Sequence, residues 1–272
     1  MINNTFNPLP IFFICLLLLQ SCATPANHFD QEAKNRNFSI ISIKSQIFEH
    51  KIFANQAALH SDGQELHVYL DGDGTPWIQK KWIADDPTSR NPLILDLMAE
   101  DTEPAILLGR PCYHGSGPSE ACHNELWTSH RYNQKIVDSM ITALKKWLRK
   151  SPSKKRIIFI GYSGGGVLAT LMAPHFSETY MLITIAANLD TAAWSLYHHY
   201  PPLVHSLNPV DKPALPKSIR QLHITGSEDK IVPPTTIKTY TKKQQNSFVL
   251  QIPNQHHHCC WLPIWKKIIN SL

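Results

Sequence analysis

Short apolar runs rich in β-branched and aromatic residues recur along the chain, separated by polar and helix-spaced segments. Such runs are typical of buried strands when glycine, proline or charged residues bound them. They predict eight strands, at 38–43, 47–53, 66–70, 105–108, 156–160, 180–186, 218–225 and 247–252, with a hairpin between the first two.

Helical spacing is clearest in 129–150, where Ile136, Met140, Leu144 and Trp147 fall on one face. Further helices are predicted at 92–99, 167–173, 234–243 and 261–272. Because strands and helices alternate, we expect a single α/β domain whose central sheet is mostly parallel and carries helices on both faces.

The segment 188–216 interrupts this alternation, because it is rich in proline and has no regular pattern. Long insertions of this kind often form lids or binding loops. We therefore predict that 201–216, together with Trp77 and Trp194, lines or covers a substrate pocket. The alternative is that both tryptophans pack in the core.

The composition is that of an ordinary globular protein, with 43% hydrophobic and 17% charged residues among 272. The net charge of +5 is mild, and lysine and arginine are scattered. Nucleic-acid-binding proteins concentrate basic residues in a patch or stripe. We therefore expect no nucleic acid partner.

The first residues have the features of an export signal. An apolar run at 11–19 is too short to span a bilayer and leads into LQSC at 19–22. This pattern resembles a bacterial lipoprotein signal, which implies cleavage before Cys22 and a membrane anchor on that cysteine. Since Ala23 rather than an aspartate follows, the resemblance implies the outer membrane of the cell envelope, facing the periplasm. A plain signal peptide or an anchor is the alternative, because 1–10 contains no lysine or arginine.

The export signal divides the chain into three predicted parts. They are a lipoprotein signal peptide at 1–21, a polar tether at 22–37 and the α/β domain at 38–272. No later segment of the sequence has the length and apolar content of a membrane span.

The remaining cysteines are Cys112, Cys122, Cys259 and Cys260, in a compartment that permits disulfides. Four cysteines allow three pairings. We favour Cys112 with Cys122, because they would close a short loop whose glycines and proline suit a tight turn. Cys259 and Cys260 are sequence neighbours, closer than disulfide geometry normally allows, so their state stays open.

The motif that carries chemistry is G-x-S-x-G at 161–165, between a predicted strand and a predicted helix. At such a turn the serine is lifted above the sheet, and glycines avoid collisions with neighbouring elements. The helix that follows points its amides at the place where negative charge develops. We therefore predict Ser163 as a nucleophile; the alternative is a glycine-rich turn with a chance serine.

A serine nucleophile needs a base that a third group orients, and in this arrangement the acid and then the histidine follow in the sequence. The acid is expected just past a strand end, where Glu228 and Asp229 lie. The base is expected after the last strand, where QHHHCCW occupies 255–261. Adjacent side chains point in different directions, so one histidine at most serves as the base. For the same reason we expect no metal site in this run.

Acyl chemistry also needs an oxyanion hole. One donor is expected to be the amide of Gly164, and the other should come from the loop after the third strand. That loop is LDGDG at 70–74, which resembles the H-G-G-G loop of esterases and offers the amide of Asp73 or Gly74. The alternatives are a calcium-binding turn or a plain tight loop, although the sequence after the loop does not continue a calcium motif.

Together these stretches resemble the α/β-hydrolase superfamily and, more narrowly, a group of small bacterial lipoprotein hydrolases. The resemblance rests on VYLDGDGTPW, LLGRPCYH, WTSHRYN, FIGYSGGGVLATLMA, TIAANLDTAAW, SLNPVDK, TGSEDKIVPP and HHHCCW. The segment around Asp229 resembles G-x-x-D-x-x-V-P, which implies that Asp229 rather than Glu228 is the acid. The placing of the histidine before the cysteine pair implies His257 as the base, with His258 and then His256 as alternatives.

The resemblance implies a single α/β-hydrolase domain with a lid-like insertion that hydrolyses ester or other acyl bonds of a small-molecule or lipid substrate. Ser163, Asp229 and His257 would form the catalytic triad, and no cofactor would be required. Two other functions stay open. One is a non-catalytic envelope binding protein on the same fold, and the other is a serine peptidase with the same triad.

Overall fold

The computed structural model describes residues 24–116, 120–150 and 156–272. The predicted signal peptide and Cys22 lie outside the described residues. Within these ranges an eight-stranded sheet forms the centre of the molecule. No helix of the described ranges has the length and apolarity that crossing a membrane requires.

All eight predicted strands are present in this sheet, and a two-stranded hairpin lies outside it. The strands are β1 Ser39–Lys44, β2 Glu49–Ala54, β3 Glu65–Leu70, β4 Trp77–Ile78, β5 Trp82–Ile83, β6 Ala105–Leu108, β7 Arg156–Tyr162, β8 Thr179–Ile185, β9 Arg220–Gly226 and β10 Ser247–Ile252. The sheet order is β1-β2-β6-β3-β7-β8-β9-β10. Strand β2 is antiparallel to both β1 and β6, and the other neighbours are parallel. The predicted mostly parallel sheet is confirmed.

Helices cover both faces of the sheet, as predicted. They are α1 Pro25–Asn35, α2 Gln56–His60, α3 Leu93–Ala99, α4 Gln134–Lys150, α5 Gly164–Met172, α6 Thr191–Tyr197, α7 Lys238–Thr241 and α8 Trp261–Ile269. Buried residues of α4 and α5 form one apolar core, and those of α1, α3 and α8 form the other. In β3, Leu66 and Val68 face the first core while Tyr69 faces the second, which is the two-residue alternation of a strand.

Helix α4 begins at Gln134 rather than at residue 129. The side chain of Asn133 accepts a 2.9 Å hydrogen bond from the amide of Ile136, which is the geometry of a helix cap. The predicted helix at 234–243 is also shorter, because only Lys238–Thr241 is α-helical and turns precede it. Prolines at 233 and 234 lack the amide hydrogens that a longer helix would use.

The prediction of a tether at 22–37 is wrong for most of that segment, because α1 packs on the domain. The ring of Phe29 is fully buried, with its centre 5.2 Å from that of Phe53 and 4.4 Å from that of His114. Thr24 caps the helix by accepting a hydrogen bond from the amide of Asn27. The folded domain therefore includes α1 from Pro25 onward, rather than starting at residue 38.

Two features near the carboxyl ends of the strands matter for the site. The insertion 188–216, predicted without regular structure, contains α6 and a short 3₁₀ turn at Pro209–Asp211. The β4–β5 hairpin was not predicted, since each of its strands is only two residues long. Both features contribute residues to the lining of the same cavity.

Candidate active site

Ser163 sits on a sharp turn between β7 and α5. Its φ of 51° and ψ of −122° lie in a region that residues other than glycine rarely occupy. A side chain at Gly161 would place its Cβ 2.5 Å from the carbonyl oxygen of Gly165, and one at Gly165 would reach within 2.1 Å of the carbonyl oxygen of Leu70. The two glycines of the motif therefore allow α5 to approach the sheet closely enough to hold the serine in this conformation.

The structure brings Ser163, His257 and Asp229 into one hydrogen-bonded row. Nε2 of His257 lies 3.0 Å from Oγ of Ser163, and Nδ1 lies 2.7 Å from Oδ2 of Asp229. His257 follows β10, and Asp229 follows β9. Both side chains are buried, at 4% and 0% exposure, so water competes little for the bond between them.

The loop after β9 fixes the orientation of Asp229. Its Oδ1 accepts hydrogen bonds from the amides of Ile231, at 2.9 Å, and Val232, at 2.7 Å. The other oxygen is thereby directed at His257. Glu228, the alternative acid, is about half exposed and pairs with His256 instead, with Oε2 3.2 Å from Nε2.

The three adjacent histidines have three different environments. His256 faces Glu228, His257 faces Ser163, and Nδ1 of His258 lies 3.1 Å from the hydroxyl of Tyr162. Burial and the neighbouring His257 lower the pKa of His258. Since the rings diverge, they do not share a centre, and no group of three His, Cys, Asp or Glu in the described ranges is arranged to hold a metal ion.

The backbone of His257 is held from two sides. Its carbonyl oxygen accepts hydrogen bonds from Nε1 of Trp261, at 2.6 Å, and from the hydroxyl of Tyr162, at 3.0 Å. Cys259 and Cys260, which lie directly before α8, form a disulfide with each other. The pairing left open by the sequence is therefore a bond between sequence neighbours, beside the histidine loop.

The loop after β3 lies against the serine, as an oxyanion loop would. An ideal Cβ on Gly72 would be 3.4 Å from Cβ of Ser163, and one on Gly164 would be 2.2 Å from Oδ1 of Asp73. The amides of Asp73, Gly74 and Gly164 donate to no acceptor within the described residues. No acceptor of the described residues therefore competes with an oxyanion for these three amides.

The Asp73 side chain is anchored by residues to which the sequence assigned no role. Oδ1 lies 2.6 Å from Nη1 of Arg110, while Oδ2 lies 3.0 Å from Nη1 of Arg131 and accepts a 2.6 Å hydrogen bond from Tyr132. Tyr113 donates to the main-chain oxygen of Asp73 at 3.1 Å. Burial alone would raise the pKa of Asp73, but Arg131 and Arg110 outweigh it and hold the pKa at about 2.

These partners come from the loops after β6 and before α4. The first of these loops carries the predicted disulfide, since Cys112 and Cys122 are bonded with Cα atoms 5.6 Å apart. Arg110 and Arg131 lie in LLGRPCYH and WTSHRYN, two stretches that carried the family resemblance but no assigned chemistry. The sequence indicated such a role only by the presence, in each of these two stretches, of one arginine among uncharged and aromatic residues.

Asp71, which directly follows β3, forms no ion pair with an arginine of the described residues. Burial raises its pKa to about 7, against the opposing effects of a hydrogen bond from the amide of Gly72 and the charge of Arg110. Asp71 and Asp73 therefore lie two positions apart with pKa values shifted in opposite directions.

Ser163 and His257 open into a cavity of about 950 Å³. Segment 194–203 and the pair Ile231 and Val232 contribute mostly apolar and aromatic side chains to its lining. Segment 74–91 and the loop before α4 contribute mostly polar ones. Trp77 and Trp194 both line the cavity, so the alternative of core tryptophans is wrong. Of the predicted 201–216, only 201–203 reaches it.

No protein-family model and no curated protein matches the chain, whereas many solved structures do. An esterase from Pyrococcus furiosus superposes with a TM-score of 0.60 at 14% identity, over 88% of this chain and 91% of its own. Est1E from Butyrivibrio proteoclasticus, with ferulic acid bound, gives 0.62 at 12% identity, over 85% and 96%. A lidless serine hydrolase from Xanthomonas campestris gives 0.53 at 13% identity, over 86% and 92%. At these identities the matches establish the fold.

Proposed function

The chain has the α/β-hydrolase fold, and from the row of Ser163, His257 and Asp229 we propose that it is a serine hydrolase of ester or other acyl bonds. The observation that carries the proposal is the 3.0 Å contact between Oγ of Ser163 and Nε2 of His257 at the edge of the cavity. A serine hydroxyl is a weak nucleophile at neutral pH unless an adjacent base removes its proton.

In the first half of the reaction, Oγ of Ser163 attacks the substrate carbonyl while Nε2 of His257 accepts the hydroxyl proton. The tetrahedral intermediate carries a negative oxygen, which the amides of Gly164 and of Asp73 or Gly74 would stabilise. Collapse of the intermediate breaks the bond to the leaving group, and His257 returns the proton to that group. The acyl group stays on Ser163.

In the second half of the reaction, water hydrolyses the acyl-enzyme by equivalent steps. His257 accepts a proton from a water molecule that attacks the acyl-enzyme, and the second intermediate releases the acid and restores Ser163. Asp229 keeps the proton of the neutral imidazole on Nδ1, so that Nε2 is free to accept, and it stabilises the imidazolium that forms in each half. Its two backbone amide bonds hold it in place for both halves.

A fluorophosphonate probe tests this proposal, because it labels only a serine that a base has activated. We expect the wild-type protein to be labelled and Ser163→Ala not to be. Ser129→Ala is a matched control, since Ser129 also lines the cavity but lies outside the hydrogen-bonded row. Labelling that survives Ser163→Ala, or a folded wild-type protein that stays unlabelled, contradicts the proposal and favours a binding protein on this fold.

The finer proposal is a carboxylic ester hydrolase rather than a peptidase. The mostly apolar, aromatic contribution of segment 194–203 supports it, because such a surface suits an acyl chain. A panel of p-nitrophenyl esters of graded acyl length, beside p-nitroanilides of amino acids and peptides, tests the distinction. Faster hydrolysis of the anilides would favour the peptidase.

We also propose that the protein is lipid-anchored through Cys22 in the bacterial cell envelope, facing the periplasm, as the lipoprotein-like signal implies. The test is fractionation of the expressed full chain beside Cys22→Ser. We expect the wild type in the membrane fraction and the variant, after signal cleavage, in the soluble periplasmic fraction. A cleaved variant that still fractionates with membranes contradicts the anchor.

A further inference from the structure

The polar lining of the cavity contains three cationic side chains, Lys80, Arg90 and Arg131. Arg131 is neutralised, because it pairs with the carboxylate of Asp73 at 3.0 Å. Lys80 and Arg90 form no ion pair with any carboxylate of the described residues. Two uncompensated positive charges therefore border the space into which Ser163 opens.

The carboxylates of the cavity do not cancel these charges. Asp73 is bound by two arginines, and Asp71 lines the cavity with only 6% of its surface exposed and accepts a hydrogen bond from the amide of Gly72. Glu228 lies near His256 and does not line the cavity. An anion that entered the cavity would thus meet two cations that no carboxylate of the described residues pairs with.

The position of Lys80 depends on an unusual turn. Lys80 lies at the tip of the β4–β5 hairpin, where Gln79 and Lys80 have φ values of 51° and 58°. Two consecutive non-glycine residues in the left-handed region carry a conformational cost that asparagine or glycine would reduce. This turn carries Lys80 and Trp77 to the cavity, whereas the next residue, Lys81, does not line it and lies over the ring of Trp82.

We propose that Lys80 and Arg90 bind an anionic group of the substrate, so that the preferred substrates are esters that carry a carboxylate or a phosphate beside an apolar portion. This inference rests on the proposed function and names its substrate class. A guanidinium matches the paired oxygens of a carboxylate or phosphate, and an ammonium adds a point charge. The apolar side chains of segment 194–203 would contact the hydrocarbon portion.

Matched esters test the inference and locate the anion. In the first arm, monooctanoylglycerol is compared with octanoyl glycerol 3-phosphate, which differs by an anion on the alcohol side. In the second arm, methyl hexanoate is compared with monomethyl adipate, which differs by an anion on the acyl side. Acid release is followed in a pH-stat at low salt, because screening weakens contacts between exposed charges.

We expect wild-type kcat/KM to favour the anionic ester by about tenfold in one arm. Lys80→Gln or Arg90→Gln should each reduce that preference about threefold, and the double variant should remove it. Rates on the neutral esters should stay within about twofold, since neither residue belongs to the catalytic row. Lys81→Gln is the matched control, because it removes an equal charge from the same hairpin without touching the cavity lining.

Equal rates on neutral and anionic esters in both arms overturn the inference, as does a preference that survives in the double variant. A binding measurement separates this failure from failure of the hydrolase proposal. Octyl phosphate and octanol are titrated into Ser163→Ala by calorimetry, where turnover plays no part. Tighter binding of octyl phosphate that Lys80→Gln and Arg90→Gln abolish supports the anion site even if no ester is cleaved, and equal binding of the two contradicts it.

Discussion

Oδ1 of Asp73 lies 2.6 Å from Nη1 of Arg110, an arginine whose side chain is almost completely buried. This ion pair ties the loop after β3, which faces Ser163, to the loop after β6. Asp73 also contacts Gly164, where an added Cβ would come within 2.2 Å of its carboxylate. One side chain therefore fixes the distance between the two backbone segments that would donate to an oxyanion.

Weakening the contacts that hold the Asp73 side chain should slow catalysis more than it weakens substrate binding. Tyr132→Phe removes one hydrogen bond to Asp73, which should cost about 1–3 kcal/mol of folding stability and lower kcat with little change in KM. Steady-state kinetics on p-nitrophenyl butyrate and urea unfolding measure the two effects. Tyr240→Phe is the control, because it removes a buried hydrogen bond to Gln221 outside the cavity. Equal kcat values in the two variants would mean that Tyr132 is only structural.

Replacing Arg110 should also destabilise the domain, because the buried carboxylate loses its closest cation. We expect Arg110→Met to lose up to about 3 kcal/mol of stability, since the carboxylate of Asp73 then keeps Arg131 as its remaining cation. The double variant Arg110→Met with Asp73→Asn should recover part of that loss. Urea unfolding of the four proteins of this cycle measures the coupling, and strictly additive losses would show that the pair does not interact.

The three adjacent histidines should differ sharply in their effect on turnover. His257→Ala removes the only imidazole of the run that contacts Ser163, so kcat should fall by about 10⁴-fold or more. His256→Ala and His258→Ala remove rings that contact Glu228 and Tyr162, and they should keep most activity. Hydrolysis of an activated ester measures all three. A dead His258→Ala with an active His257→Ala would reject the observed pairing.

Asp71 should make folding less favourable as the pH rises. Its folded pKa of about 7 lies above the usual value of 3.8, so the unfolded chain ionises Asp71 first, and stability falls between about pH 4 and pH 7. Asp71→Asn keeps an acceptor for Gly72 and has no charge, so it should be more stable than wild type at pH 8, by up to about 4 kcal/mol.

Comparing the stability of wild type and Asp71→Asn at each pH separates the contribution of Asp71 from that of other titrating groups. Burial lowers the pKa of His114 and His223 to about 3, which adds stability with rising pH in both proteins alike. The difference between wild type and Asp71→Asn, measured by urea unfolding from pH 4 to pH 8, should therefore grow up to about pH 7 and then stay constant. A difference independent of pH would show that Asp71 titrates normally in the folded state.

The elements that could be predicted from the sequence are those whose pattern is local. Strands such as β7 consist of consecutive buried residues, and the turn at 161–165 combines glycines with the serine in a fixed spacing. Chain order also predicted that the candidate acid and the candidate histidine would follow two late strands, and the structure has Asp229 after β9 and His257 after β10. The choice of His257 among three histidines came from a family resemblance, because which way each ring points depends on tertiary contacts.

The contacts that the sequence did not reveal are between distant residues. Arg110 and Tyr132 reach Asp73 across 37 and 59 positions, and no spacing rule links loops on separate strands. The β4–β5 hairpin is too short to show a strand pattern. Helix α1 was missed because its buried apolar positions are few, and they lie among polar residues that suggest a tether.

The packing of α1 on the domain should contribute measurably to stability. Phe29→Ala should lower the free energy of unfolding by about 3–5 kcal/mol, because the ring is fully buried against Phe53 and His114 and its removal leaves a cavity. His28→Ala changes an exposed neighbour on the same helix and should cost less than about 0.5 kcal/mol. Urea unfolding of the two variants decides between a packed helix and a free tether. If both unfold at the wild-type urea concentration, α1 does not contribute to the domain in solution, and the folded unit begins near residue 38.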